Sequence, residues 1–159
     1  MVSITLPDDS VRAYDGPVSG ADIAADIGPG LARAAIAARV DGEVWDLNRP
    51  VEEDAKVALI TLKDDDETVF DLLRHDAAHV MAEAVQELYP DTQVTIGPNI
   101  QDGFFYDFSR SEPFTPEDLE RIEKRMHEVV ARDEEVEREV WSRDRAVQFF
   151  RDKGEHYKA

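Results

Sequence analysis

The chain contains no cysteine. That absence excludes a disulfide framework, a thiolate nucleophile and cysteine-ligated metal within these residues. No apolar run approaches the roughly 18 residues that a membrane-spanning helix needs, so no membrane partner is expected. The opening "MVSITLPDDS" has neither a basic flank nor an apolar core. No signal peptide is read there, and a cytoplasmic location is expected. A basic stripe is missing too. Asp and Glu number 36 against 18 Lys and Arg, a formal net charge of −18. About −6 falls on the residues up to Leu62 and about −12 on those after it. This field favours solubility and repels nucleic acid, so any RNA-facing role has to act against it. Internal repeats and low-complexity segments are also lacking.

The 159 residues are 42% hydrophobic, enough for a core and suited to one domain or two small ones. "VSITLPDDSVRAY" reads as two short strands around a turn, with Val2, Ile4 and Leu6 alternating. "SGADIAADIGPG" reads as a short helix with Ser19 as N-cap, stopped by Gly28-Pro29-Gly30. "AAIAARVDGEVWDLN" holds Asp41-Gly42, a two-residue hairpin signal between apolar strands. "KVALITL" reads as a last strand. Residues 1–62 are therefore expected to form a compact α+β roll in the order β-β-α-β-β-β.

"KDDDET", residues 63–68, is the expected domain boundary. A long helix from about Glu67 to Tyr89 follows, ended by Pro90. "TQVTIGPNIQDGFFYDF" reads as strand, turn, strand. "FTPEDLERIEKRMHEVVARD" reads as a helix with Thr115 as N-cap, Pro116 at N1 and Asp118 closing a capping box. "EEVEREVW" alternates and reads as a strand, and "SRDRAVQFFRDKG" as a helix capped by Ser142 and stopped by Gly154. "EHYKA" reads as the opening of another strand, so the second domain, 63–159, is expected to be truncated.

The chemistry concentrates in "RHDAAHVMAEAVQELYP", residues 74–90. His75 and His79 stand four apart, which points both imidazoles to one side of a helix. Phe70, Leu73, Ala77, Met81, Ala84 and Leu88 fall within about 40° of one line and form the expected core stripe. His75, His79 and Gln86 fall on the opposite side, with Ala78 and Ala82 beside them. Four readings of the pair stand open: two surface histidines, a shared metal, an acid/base or water-positioning pair in a cleft, and part of a larger site. "HDAAH" resembles the zinc-protease pattern H-E-x-x-H, but Asp76 is one methylene short of the required Glu and no clear third ligand follows. No metal is expected at the pair.

"RHDAAHVMAEAVQELYP", "TIGPNIQDGFFYDF", "LERIEKRMHEVV" and "GEHYK" resemble, in that order, the editing domain of bacterial threonyl-tRNA synthetases. The segment "ITLPDDSVRAYDGPVSGADIAADIGPGLARAAIAARVDGEVWDLN" looks like the TGS domain that opens those enzymes. The resemblance implies a β-grasp, ubiquitin-like TGS domain over 1–62. Residues 63–159 would be the N-terminal part of an α/β editing domain that hydrolyses seryl-tRNA(Thr). It implies that His75, His79 and Lys158 belong to the catalytic site, and that Gly97 and Tyr106 line the pocket for the seryl group and terminal adenosine. Tyr106 also fits a plain core strand, since it alternates with Phe104 and Phe108, and Lys158 also fits a frayed terminal residue.

The family's editing site is completed by a downstream Asp and a C-x-x-x-H element that this sequence lacks. The resemblance also implies a class II catalytic domain using ATP and zinc, and an anticodon-binding domain, both outside these residues. No cofactor is expected within the chain itself. The tRNA(Thr) acceptor end is the implied partner, bound weakly by these residues alone, and homodimerisation is implied through the absent domains. Little or no editing is expected of the chain by itself. Two alternatives remain: a non-catalytic TGS-bearing regulator that binds RNA or protein, and a free-standing trans-editing hydrolase.

Overall fold

In the computed structural model, residues 1–64 and 67–159 are described, and the chain divides into two compact units, Met1–Val69 and Phe70–Ala159. Asp65 and Asp66 of the expected boundary lie outside the described residues. Among the described residues, no helix is long and apolar enough to cross a membrane.

The first unit is built on β1 (Val2–Thr5), β2 (Val11–Tyr14), β3 (Val18–Ser19), α1 (Gly20–Ile27), α2 (Pro29–Ala34), β4 (Ala35–Val40), β5 (Glu43–Asp46), β6 (Pro50–Val51) and β7 (Ala55–Thr61). A five-stranded sheet runs in the order β2-β1-β7-β4-β5. The pairing of β1 with β7 is parallel, and the other pairings in this sheet are antiparallel. Alternation places Val2 and Ile4 inward, where they join Val18, Ile23, Ala38, Val40, Val51 and Val57 in the core. The capping box of Ser19 and Asp22 starts α1, which buries Ile23 and Ala24. Gly20 meets the sheet closely. A Cβ there would stand 2.9 Å from Ala38 Cβ and 3.2 Å from the Leu47 carbonyl oxygen.

Asp41 and Gly42 both take positive φ, 48° and 92°, and join Val40 to Glu43 as the hairpin signal requires. Three elements, α2, β3 and β6, extend the expected order. Pro29 restarts a helix where Gly28-Pro29-Gly30 had been read as a stop, because proline's fixed φ suits the first helical position. The pair β3–β6 is too short to show periodicity.

The second unit holds α3 (Glu67–Leu88), whose first residues precede the division, β8 (Gln93–Val94), β9 (Asn99–Ile100), β10 (Gly103–Phe104), β11 (Phe108–Ser109), α4 (Pro116–Ala131) and α5 (Arg143–Asp152). The expected strand-turn-strand is two small ladders, β8 with β11 and β9 with β10. Ala84, Val85 and Ile122 form its core, with Met81, Leu88, Tyr89, Phe108, Phe114 and Met126 packed around them. Arg132 grips both carboxylate oxygens of Glu87, at 2.6 and 2.7 Å, and ties the end of α4 to α3.

Three expectations are corrected here. Residues 134–141 form no strand. Val136 and Val140 are 89% and 77% exposed, so the alternation has no partner face to bury against. Residues 155–159 form turns, not a strand. The buried side of α3 is also shifted. Phe70 and Leu73 are 45% and 47% exposed, whereas Ala78, Ala82 and Val85 are buried. Small alanines let neighbouring chain approach the helix closely, and periodicity alone does not register that.

Ile4→Ala removes a fully buried side chain, so it is expected to cost about 2–5 kcal/mol in urea unfolding. Val136→Ala is expected to stay within about 0.5 kcal/mol of the unsubstituted chain. An equal loss in both would contradict the placement of the core.

Candidate functional site

His75 and His79 occupy consecutive turns of α3, and both are exposed. Their Nε2 atoms are 2.9 Å apart and their ring centroids 4.5 Å apart at 64°. That distance is a hydrogen bond, so one ring donates from Nε2 while the other presents a bare Nε2 as acceptor. The pair can therefore hold one proton between its rings. The His79 imidazole is held below the ordinary histidine value. Desolvation is the largest cause. A positive charge on His75 and the Lys158 ammonium push the same way, and Asp76 opposes them.

Gln86 lies seven residues, two helical turns, beyond His79 on the same side of α3. Its Nε2 donates to Oε1 of Glu155. The segment carrying Glu155 leaves α5 through Gly154, whose φ of 74° turns the chain. It is then pinned to the small strands. The His156 amide donates to Oε1 of Gln93 at 3.1 Å, and the Tyr157 hydroxyl donates to Oγ of Ser109 at 3.4 Å. Lys158 is exposed, with its Nζ 5.6 Å from the centre of the Phe150 ring.

Gly97 and Tyr106 face each other across the connecting strands. The Asp107 amide donates to the Ile96 carbonyl at 2.8 Å and the Thr95 amide to the Asp107 carbonyl at 3.2 Å, which brings the two residues opposite. A Cβ on Gly97 would overlap the Tyr106 ring, standing 2.7 Å from its Cγ, so only glycine lets the ring lie there. Tyr106 also stacks on Phe108, with centroids 4.9 Å apart at 20°. Burial pushes the Tyr106 phenol up, and the Glu155 carboxylate adds to it.

The five residues singled out in the sequence thus fall into three groups: the bonded histidines, Lys158 within electrostatic reach of His79, and the Gly97–Tyr106 contact. Glu155 links them, being bonded to Gln86 on the histidine side of α3 and close enough to act on Tyr106. Neither Glu155 nor Gln93 stands out in the sequence. Gln86 shows only as a third polar residue on the histidine side. Among the described residues, no group of three or more His, Cys, Asp and Glu is placed to hold a metal ion. An imidazole pair sharing a proton can orient water and move a proton.

Residues 2–61 match the TGS domain family, which defines the class of the first unit. The whole chain is 63% identical to a threonine–tRNA ligase of Granulibacter bethesdensis, over 100% of this chain and 24% of that protein. It is 64% identical to the ligase of Rhodospirillum rubrum, again over 100% of this chain and 24% of the relative. For the Thiobacillus denitrificans ligase the figures are 61% identity over 99% of this chain and 24% of the relative. The chain is thus similar to the N-terminal region of these ligases and spans about a quarter of the length of the relatives it matches.

The pair makes a pH signature. His79 is held below 6.5, so its neutral form is favoured in the folded chain. What that form contributes is present above 6.5 and is lost as pH falls through the folded value, where His79 takes up its proton. Imidazole NMR should show His79 titrating below 6.5, with its midpoint rising in His75→Ala. A His79 midpoint at or above 6.5 that ignores His75→Ala would contradict the pairing.

Proposed function

We propose that this chain is the N-terminal region of a threonine–tRNA ligase. In this reading, residues 1–62 are its TGS domain and residues 63–159 contribute to a site that hydrolyses serine mischarged onto tRNA(Thr). One observation carries the reading: two histidines one helical turn apart are joined through their Nε2 atoms on an exposed face of α3. The need for such a site follows from chemistry. Serine differs from threonine by one methyl, worth about 1–3 kcal/mol of discrimination, too little for a synthetic site to reject it by binding alone.

The scissile bond is the ester between the seryl carbonyl and a ribose hydroxyl of the terminal adenosine. Water adds to the carbonyl carbon as a neutral imidazole of the pair accepts its proton, and the carbonyl oxygen becomes an oxyanion. The Lys158 ammonium stabilises that charge. The ester C–O bond then breaks, and the ribose oxygen takes the proton back from the imidazolium. Acid/base help of about 10²–10⁴-fold suffices for an activated ester. Gly97 and Tyr106 form the wall against which the seryl group and adenosine rest, the tyrosine ring offering a stacking face.

The acceptor end of tRNA(Thr) is the partner, bound weakly by this chain alone because of its −18 charge. Residues of the ligase beyond this chain supply the rest of the editing site, the ATP and zinc chemistry of aminoacylation, and the dimer interface. The working location is the cytoplasm.

The test is His75→Ala with His79→Ala in a threonine–tRNA ligase carrying this chain. Deacylation of seryl-tRNA(Thr) should fall by at least about 10²-fold, with threonylation preserved. Clearance of seryl-tRNA at the unsubstituted rate would overturn the assignment, and parallel loss of threonylation would recast the pair as structural.

A further inference from the structure

Lys158 is exposed and near the end of the described chain, so something other than its own side chain has to fix where it stands. The backbone around it is held at Gln93 and Ser109, on the strand side. On the helix side, the described side-chain bond between this segment and the histidine face of α3 is that of Gln86 Nε2 to Glu155 Oε1. The Ala159 amide donates to the Glu155 carbonyl at 3.1 Å, so Lys158 is enclosed in a turn that begins at Glu155. Displacing Glu155 displaces that turn. The other carboxylate oxygen, Oε2, is buried without a hydrogen-bond partner. A buried unpaired acceptor costs about 1–3 kcal/mol, a cost that the packing of the turn and the Oε1 bond to Gln86 have to offset.

We propose that Glu155 is a positioning residue: its bond to Gln86 clasps the terminal turn to the histidine side of α3 and so fixes where Lys158 stands. The proposal rests on the reading of His79 and Lys158 as parts of one site. It accounts for a carboxylate that ties α3, which bears His79, to the turn that bears Lys158. The groups acting on His79 are His75 and Asp76 from α3 and Lys158 from the terminal turn. Glu155 is not among them, so a change at Glu155 reaches His79 by moving the terminal turn, which carries Lys158.

The His79 imidazole, followed by NMR in this chain, reports the clasp. Lys158→Met removes an ammonium that holds His79 down, so its titration midpoint rises. Glu155→Ala should raise it equally, and so should Gln86→Ala, which breaks the same bond from the helix side. Combining Glu155→Ala with Lys158→Met should add nothing further. Glu155→Gln keeps an acceptor for Gln86 and should leave the midpoint low. The methyl signals of Ile122 and Val129, buried on α4, are the control: unchanged, they show that the second unit stays folded. Loss of the negative charge alone would leave His79 unmoved or lower it. A midpoint that is unmoved or lower in Glu155→Ala or Gln86→Ala overturns the proposal. So does a midpoint that ignores Lys158→Met, or one that moves as far in Glu155→Gln as in Glu155→Ala. If Glu155→Ala disorders the unit, the Gln86→Ala result decides.

In the ligase, Glu155→Ala and Lys158→Met should slow seryl-tRNA hydrolysis by similar factors, up to about a hundredfold. If His79→Ala leaves hydrolysis intact while the NMR pattern holds, the editing reading fails and the clasp stands. If hydrolysis depends on the histidines but His79 ignores Glu155 and Gln86, the clasp fails and the reading stands.

Discussion

Glu155 accepts a hydrogen bond from Gln86, 69 residues earlier in the chain, and the candidate site depends on that meeting. The histidines need only α3, since helical spacing alone brings two rings four residues apart into bonding range. Their electrostatic setting needs more. The turn that leaves α5 and carries Lys158 comes down on the histidine side of α3, where Gln86 bonds Glu155. The bonds to Gln93 and Ser109 hold that turn against the strands, which also carry Gly97 and Tyr106. Three segments distant in sequence therefore share one polar junction, and the bonded side chains of Gln86, Gln93, Ser109 and Glu155 are half-buried.

The sheet of the first unit rests on a different constraint. Its central strands β1 and β7 run parallel, so the chain between them has to cross over, and α1, α2, β4 and β5 all lie on that path. Ile4, Ile23 and Val57 fill the space so enclosed, and Gly20 lets the start of α1 come down onto Ala38 and Leu47. None of the candidate site residues lies in this unit. The TGS match and the histidine chemistry are thus separate statements about separate parts of the chain.

Features fixed by local chemistry were legible in the sequence. The caps at Ser19, Thr115 and Ser142, the Asp41-Gly42 turn and the alignment of His75 with His79 each follow from a few neighbouring residues. What escaped depends on partners far away. Val136 and Val140 alternate as a strand should, but pairing needs a second strand that the described residues do not supply. Phe70 and Leu73 look like core by size, yet the burial went to Ala78 and Ala82. Glu155 was invisible because one carboxylate among 36 acidic residues gains meaning only when Gln86 is found opposite it.

The central claim is that residues 70–159 already bring together a surface that meets a seryl-adenosine end. Its most direct test is an NMR titration of this chain with an amide-linked seryl-adenosine, which keeps the shape of the ester and resists hydrolysis. The account predicts saturable shifts at His75, His79, Gly97, Tyr106 and Lys158, with the sheet of the first unit unaffected. Silence at those five positions, or shifts confined to the first unit, would contradict it.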